Sequence, residues 1–322
     1  MNSVVSSVRA RAMRGAALAS TLLLLSLTAT PSMARDQNLY KTPEEAAAAL
    51  AAAVRADDNK MLLSILGRQG SDIISSGDAT EDQSKRKEFT TAYDARHELA
   101  ISADKTAVLN IGPKDFPFPI PLVREKEGWR FDTAAGRAEV LARRIGRNEL
   151  SAIQASLAYY DAQHEYVEKD RTGKNIRAYA QRIASHPGKQ DGLYWPAAPG
   201  GEQSPLGELV ADAAADGYAI GRERAPYHGY YYKILTKQSA AANGGALDYV
   251  VGGNMIGGFA LVAYPAAYGV SGIMTFMISH NGVVYQKDLG ERTPRIVERM
   301  SAFDPGPGWE TVRVTAPPPS ED

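Results

Sequence analysis

The chain contains no cysteine. That excludes disulfides, thiolate metal sites, cysteine nucleophiles and a lipid-modified cysteine anchor. It has almost no net charge, -1 over 322 residues, so nothing electrostatic favours a nucleic-acid partner. Beyond the N-terminus it has no apolar run long enough to cross a membrane. It also lacks the common catalytic signatures. His164-Glu165 has no second histidine at zinc-protease spacing, and Gly269-Val270-Ser271-Gly272 lacks the glycine spacing of a hydrolase nucleophile elbow. The glycine-rich stretch 252–258 has neither the Lys-Ser/Thr of a phosphate loop nor dinucleotide spacing, and reads as a hairpin turn. No metal site and no cofactor are expected.

What is present begins with an export signal. Arg9, Arg11 and Arg14 precede an apolar core at 16–27, and Ser32-Met33-Ala34 sets small residues where a signal peptidase reads. The expectation is a cleaved signal peptide over 1–34, a periplasmic or secreted mature chain, and no stable membrane span after cleavage. With 44% apolar and 23% charged residues, the remainder can build an ordinary core.

The stretch 134–170 predicts one long helix, either continuous or broken near Gly146. Leu141, Ile145, Ile153, Leu157, Tyr160 and Val167 recur at helical spacing and form the expected apolar stripe. Before it, Thr42-Pro43-Glu44-Glu45 starts a helix, 60–66 and 82–97 predict two more, and 99–102 with 106–111 predict strands. The prolines of 117–121 confine that stretch to an edge or a rigid loop. A hairpin joins 122–124 to 129–132. This order of helices and curled sheet ending in Trp129-Arg130-Phe131-Asp132 resembles the cone-shaped modules of the nuclear-transport-factor-two type.

After the long helix, 170–175 reads as a helix-stopping turn rather than a calcium loop, because Arg171 and Lys174 stand where acidic ligands would be needed. Further helices are expected at 175–184 and 206–215. Strands follow at 230–236, 257–264 and 272–279, and Asn281-Gly282 turns the last of these into 283–287. The predicted fold class is therefore α+β in two lobes. Helices plus an antiparallel sheet occupy 35–133, a long helix on an antiparallel sheet occupies 134–312, and 313–322 forms a disordered tail.

The second half is similar to pilin and pseudopilin head domains, although its helix is internal and amphipathic, which argues against assembly into a pilus. A wider resemblance covers nearly the whole mature chain. The blocks Pro117-Phe118-Pro119-Ile120-Pro121, Arg143-Arg144-Ile145-Gly146-Arg147-Asn148-Glu149, Asp191-Gly192-Leu193-Tyr194-Trp195 and Pro226-Tyr227-His228-Gly229-Tyr230 look like the secreted bacterial family known as domain-of-unknown-function family 2950 (DUF2950). That resemblance implies no established activity and no catalytic residues.

Four groups carry candidate chemistry. His228, among tyrosines at a strand entrance, is the best candidate for a general base in an envelope hydrolase; a turn histidine bonded to backbone is the plainer account. Arg143, Arg144 and Arg147 share a helix face and could clamp a phosphate or carboxylate, or join the two lobes, for example through Asp132. Ser75-Ser76-Gly77-Asp78 reads as a turn with Asp78 capping the next helix. Tyr194, Trp195, Tyr227 and Tyr230–Tyr232 could form a platform for glycans, or simply pack in the core. The functional expectation is a non-catalytic binding or structural module of the cell envelope, with an envelope protein or glycan as partner. An enzyme using His228, or a small-ligand carrier with an apolar pocket beneath Trp129 and Phe131, are the alternatives.

Overall fold

The computed structural model describes residues 37–218 and 225–313. The expected signal peptide at 1–34 and the tail beyond 313 lie outside them.

Four helices open the described chain: α1 (Pro43–Arg55), α2 (Asn59–Leu66), α3 (Ser71–Ile74) and α4 (Ala79–Ala95). Their starts follow the expected chemistry. Thr42 Oγ1 accepts the Glu45 amide, Asp58 accepts that of Met61, and Asp78 accepts that of Glu81. The helices pack on a curled sheet of β1 (His97–Ile101), β2 (Thr106–Ile111), β4 (Leu122–Arg124) and β5 (Trp129–Phe131), with β3 (Phe116–Pro117) on the side of β2. The space beneath Trp129 and Phe131 is filled by Leu50, Ile65, Leu66, Ile120 and Leu122.

α5 (Thr133–Val167) runs unbroken for 35 residues, about 50 Å at 1.5 Å per residue. Gly146 does not interrupt it. The buried face also differs from the expected stripe. Leu141 is buried, but the remaining contacts come from Arg144, Asn148, Ala152, Ala155, Ser156, Tyr159, Ala162, Gln163 and Tyr166, while Ile153, Leu157 and Tyr160 are only half-buried. Small residues let the helix axis approach the sheet closely, and the larger apolar side chains flank that line rather than occupy it.

Residues 175–184 are not helical, contrary to expectation. Gln163 explains why. Its side chain accepts the Ala180 amide and donates to the Ala180 carbonyl, both at 2.8 Å, holding the segment extended against α5. α6 (Gly207–Ala215) follows. The second half then contributes β6 (Tyr230–Leu235), β7 (Lys237–Gln238), β8 (Leu247–Asp248), β9 (Val250–Val251), β10 (Asn254–Met255), β11 (Ala260–Pro265), β12 (Met274–Ser279), β13 (Val284–Asp288), α7 (Thr293–Arg299), β14 (Ala302–Phe303) and β15 (Glu310–Thr311). The main sheet runs β15-β13-β12-β11-β6, antiparallel throughout. β12 is buried along nearly its whole length, as its apolar pattern predicts. The fold is α+β. The described residues form one compact unit containing a core around Phe131 and another around Tyr159, Tyr230, Phe259 and Phe276. No helix among them is long and apolar enough to cross a membrane.

Two glycines of α5 test this packing. A Cβ on Gly136 would stand 2.5 Å from the Pro119 carbonyl oxygen, whereas one on Gly146 meets nothing within 4 Å. Gly136→Ala is expected to lose about 1–3 kcal/mol by overpacking. Gly146→Ala should gain about 1 kcal/mol from helix propensity. Urea unfolding of both variants measures the difference, and equal effects would refute the packing described.

Candidate functional site

Tyr227 and Tyr230 exchange both backbone hydrogen bonds, N–H to O at 2.8 and 3.1 Å, around a two-residue turn. The turn residues His228 (φ 47°) and Gly229 (φ 72°) both lie in the left-handed region, which is the type I′ geometry that suits hairpins. His228 thus starts from a backbone role. Its amide donates to Tyr218 Oη at 3.0 Å. Its ring Nε2 stands 3.8 Å from Asp216 Oδ2, beyond hydrogen-bond reach, and burial lowers its pKa despite the nearby Asp216 and Asp78.

The turn is held by Asp78. Asp78 is 1% exposed and caps α4 through Oδ1, while Oδ2 accepts both Tyr218 Oη and the Gly229 amide at 2.9 Å. Sequence reasoning found the cap but not the second role, because Gly229 lies 151 residues away.

The three arginines separate. Arg144 is 9% exposed and donates to the Asp72 and Ile73 carbonyls at the end of α3, both at 2.6 Å. Arg143 pairs with Glu139 at 2.6 Å and lies over the Phe116 ring. Asp132, the expected partner, lies 3.8 Å from Arg130 instead. Only Arg147 faces an opening: a cleft of about 170 Å³ also lined by Glu81, Ser84, Lys85, Ser151, Asp216, Tyr218 and His228. Glu81 is 7% exposed, and its Oε2 has no partner among the described residues. Burial and the neighbouring Asp78 raise its pKa. No described group of three or more His, Asp or Glu side chains could hold a metal ion.

A larger cavity, about 820 Å³, lies on the other side of Tyr218. Tyr159 and Ala155 of α5 contribute to it, as do Tyr227, Tyr231, Tyr232 and Ile234 at β6, and Tyr194 with residues 181–187. Leu209, Val210 and Ala213 of α6 line it as well, together with the adjacent Leu206. Among the described residues that line it there is no carboxylate, and Arg182 is the only permanent charge. The tyrosines considered from sequence therefore divide. Tyr194, Tyr227, Tyr231 and Tyr232 face the cavity, whereas Tyr230 and Trp195 are core. Tyr230 Oη donates to the Met274 carbonyl; Trp195 donates to the Glu202 carbonyl and stacks against the Arg171 guanidinium. Tyr218 was missed because nothing in its local sequence marks it. The Tyr-His-Gly-Tyr spacing was the available signal for the turn.

A model of the family described as protein of unknown function (DUF2950) matches residues 37–312. No curated protein and no solved structure matches the chain, so the pilin-head likeness rests on the order of elements alone.

Two predictions follow from these buried carboxyls. Asp78→Ala removes a cap and leaves two donors unpaired, an expected loss of about 3–5 kcal/mol in urea unfolding, with faster amide exchange at Gly229. A loss below about 1 kcal/mol would show that the contact is incidental. For Glu81 the folded pKa lies above the unfolded value, so the native state holds the extra proton between the two. Its contribution to stability therefore falls as pH rises through that window, from the ordinary 4.5 upward. Glu81→Gln should be more stable than wild type at pH 8 and lose this advantage below the ordinary glutamate pKa. A constant difference across pH would refute the assignment.

Proposed function

The chain belongs to the DUF2950 family, and we propose that it is a periplasmic or secreted, non-catalytic binding module of the cell envelope whose ligand seat is the tyrosine-walled cavity. The carrying observation is that cavity. Its size suits a molecule of several rings or residues, and its walls mix aromatic and aliphatic side chains with polar ones such as Gln181, Arg182, Ser185 and His186. Tyrosine supplies broad contact area at low entropic cost together with a hydroxyl for hydrogen bonding. An envelope protein or glycan fits such walls. Export rests on the N-terminal segment, with its arginines, apolar core and Ser32-Met33-Ala34.

The alternatives have less support. An enzyme built on His228 would need a base–carboxylate contact, and 3.8 Å to Asp216 does not supply it. A carrier pocket beneath Trp129 and Phe131 would need space that Leu50, Ile65 and Ile120 occupy.

The test is binding of soluble envelope fragments, followed by NMR on the full mature chain. Ligand should perturb Tyr194, Tyr227 and Tyr231. Tyr231→Ala and Tyr194→Ala should each weaken binding about tenfold, or 1.4 kcal/mol, with His228→Ala near wild type. Turnover of any fragment that is abolished by His228→Ala would replace this reading with the enzymatic one.

A further inference from the structure

β6 is an outer strand of the main sheet; its strand neighbour there is β11. Bonds at both ends fix which way its backbone groups point. The Gly229 carbonyl accepts the Ala266 amide, in register with Tyr230 opposite Pro265. Polar groups alternate sides along an antiparallel strand. Tyr231, Lys233 and Leu235 therefore turn theirs toward β11, and Tyr230, Tyr232 and Ile234 turn theirs away. Tyr230 spends its outward pair on Tyr227. Thr236, of the same parity, donates to the Ser301 carbonyl and accepts the Tyr249 amide. Between these two covered positions, Tyr232 and Ile234 have no outward backbone partner among the described residues.

This free edge opens on the tyrosine-walled cavity, since Tyr231, Tyr232 and Ile234 all line it. Across the opening, α6 contributes half-buried Leu209 and Val210 and has no buried residue of its own. The cavity thus combines two N–H and C=O pairs, spaced about 6.6–6.8 Å apart along a strand, with apolar walls for alternate side chains. We infer that its occupant is an extended peptide segment of a partner protein, which adds to β6 as a further strand by pairing with Tyr232 and Ile234. This deepens the proposed function and rests on the cavity being the ligand seat.

Strand addition uses backbone bonds for affinity and wall pockets for side-chain choice. The lining also restricts the peptide's charge. Among the described lining residues none is a carboxylate and Arg182 is the only permanent charge, so the segment that suits them has uncharged side chains and one carboxylate within reach of Arg182. An oligosaccharide could stack on the tyrosines, but its ring spacing does not follow the two-residue repeat of the strand edge.

The probe is a pool of fluorescent heptapeptides alternating valine or leucine with threonine and ending in glutamate. Each is made as a parent and in two versions N-methylated at alternate amides. On the full mature chain, one methylation register should weaken binding at least tenfold and the other should not. Peptide binding should slow amide exchange at Tyr232 and Ile234 at least tenfold. Ile234→Pro removes an N–H that has no partner among the described residues, so the variant should fold and bind the parent about tenfold more weakly. Binding indifferent to both methylation registers, or unchanged exchange at Tyr232 and Ile234, overturns strand addition. If chitotetraose binds in a Tyr231-dependent manner and no peptide does, the peptide inference falls and the cavity reading stands. If neither probe binds and no envelope fragment depends on Tyr231 or Tyr194, both fall.

Discussion

One buried carboxylate ties the two cores together. Asp78 begins α4 in the first half and holds the 227–230 turn in the second through Tyr218 and the Gly229 amide. A carboxylate that is 1% exposed is costly unless donors surround it, and here the three donors come from different parts of the chain. Its satisfaction therefore requires those parts to be correctly placed. The constraint propagates outward. The turn positions Tyr230, Tyr230 starts β6, and β6 supplies one wall of the cavity. Asn148 reinforces it from α5, donating to the Ser271 carbonyl while packing close to Gly229.

α5 is the second element on which the arrangement depends, and it works by changing its chemistry along its length. Near its start, Thr133 donates to the Leu66 carbonyl at 2.7 Å and Gly136 lies against Pro119 and Ile120. Midway, Arg144 holds the end of α3, and Glu149 accepts the Ile273 and Met274 amides just at the start of β12. Farther on, Tyr159 donates to the Ala260 carbonyl and Gln163 fixes Ala180. Polar side chains at successive turns specify which backbone each segment meets, and the small residues between them set the close approach.

Elements written in local chemistry were legible in the sequence. Caps at Thr42 and Asp78, the Asn281-Gly282 turn and the apolar pattern of β12 each act over a few residues, and each led to the right element. What failed depended on distant partners. The segment 175–184 has helical composition, yet Gln163 holds Ala180 in an extended chain. The stripe on α5 was only partly right: Leu141 is buried and Ile153, Leu157 and Tyr160 pack at its margin, while the buried line also takes alanine, serine, asparagine and glutamine, which apolar periodicity does not mark. The arginine cluster was visible as a cluster, but only the fold shows that Arg143 and Arg144 are occupied and Arg147 faces the cleft. His228 stood out as a titratable group, whereas its backbone amide and left-handed conformation explain its position.

The edge of β6 shows how such constraints leave a site behind. Natural sheets blunt their edges with short strands, charges or covering segments, because exposed backbone pairs invite other chains. Here the covering is selective. The Tyr227 turn shields one end and Ser301 with Tyr249 shields the other, and both coverings are themselves anchored. Lys233, which could have acted as an edge charge, is instead drawn to the opposite side, where its ammonium donates to three carbonyls around the end of α7. Among the described residues, what remains uncovered is two residues long, and both of them line the tyrosine-walled cavity. That combination limits indiscriminate pairing by geometry while leaving room for one short strand. Tyr218 lines both the cavity and the polar cleft, and its hydroxyl donates to Asp78. The same carboxylate that begins α4 therefore also holds a residue that lines both spaces.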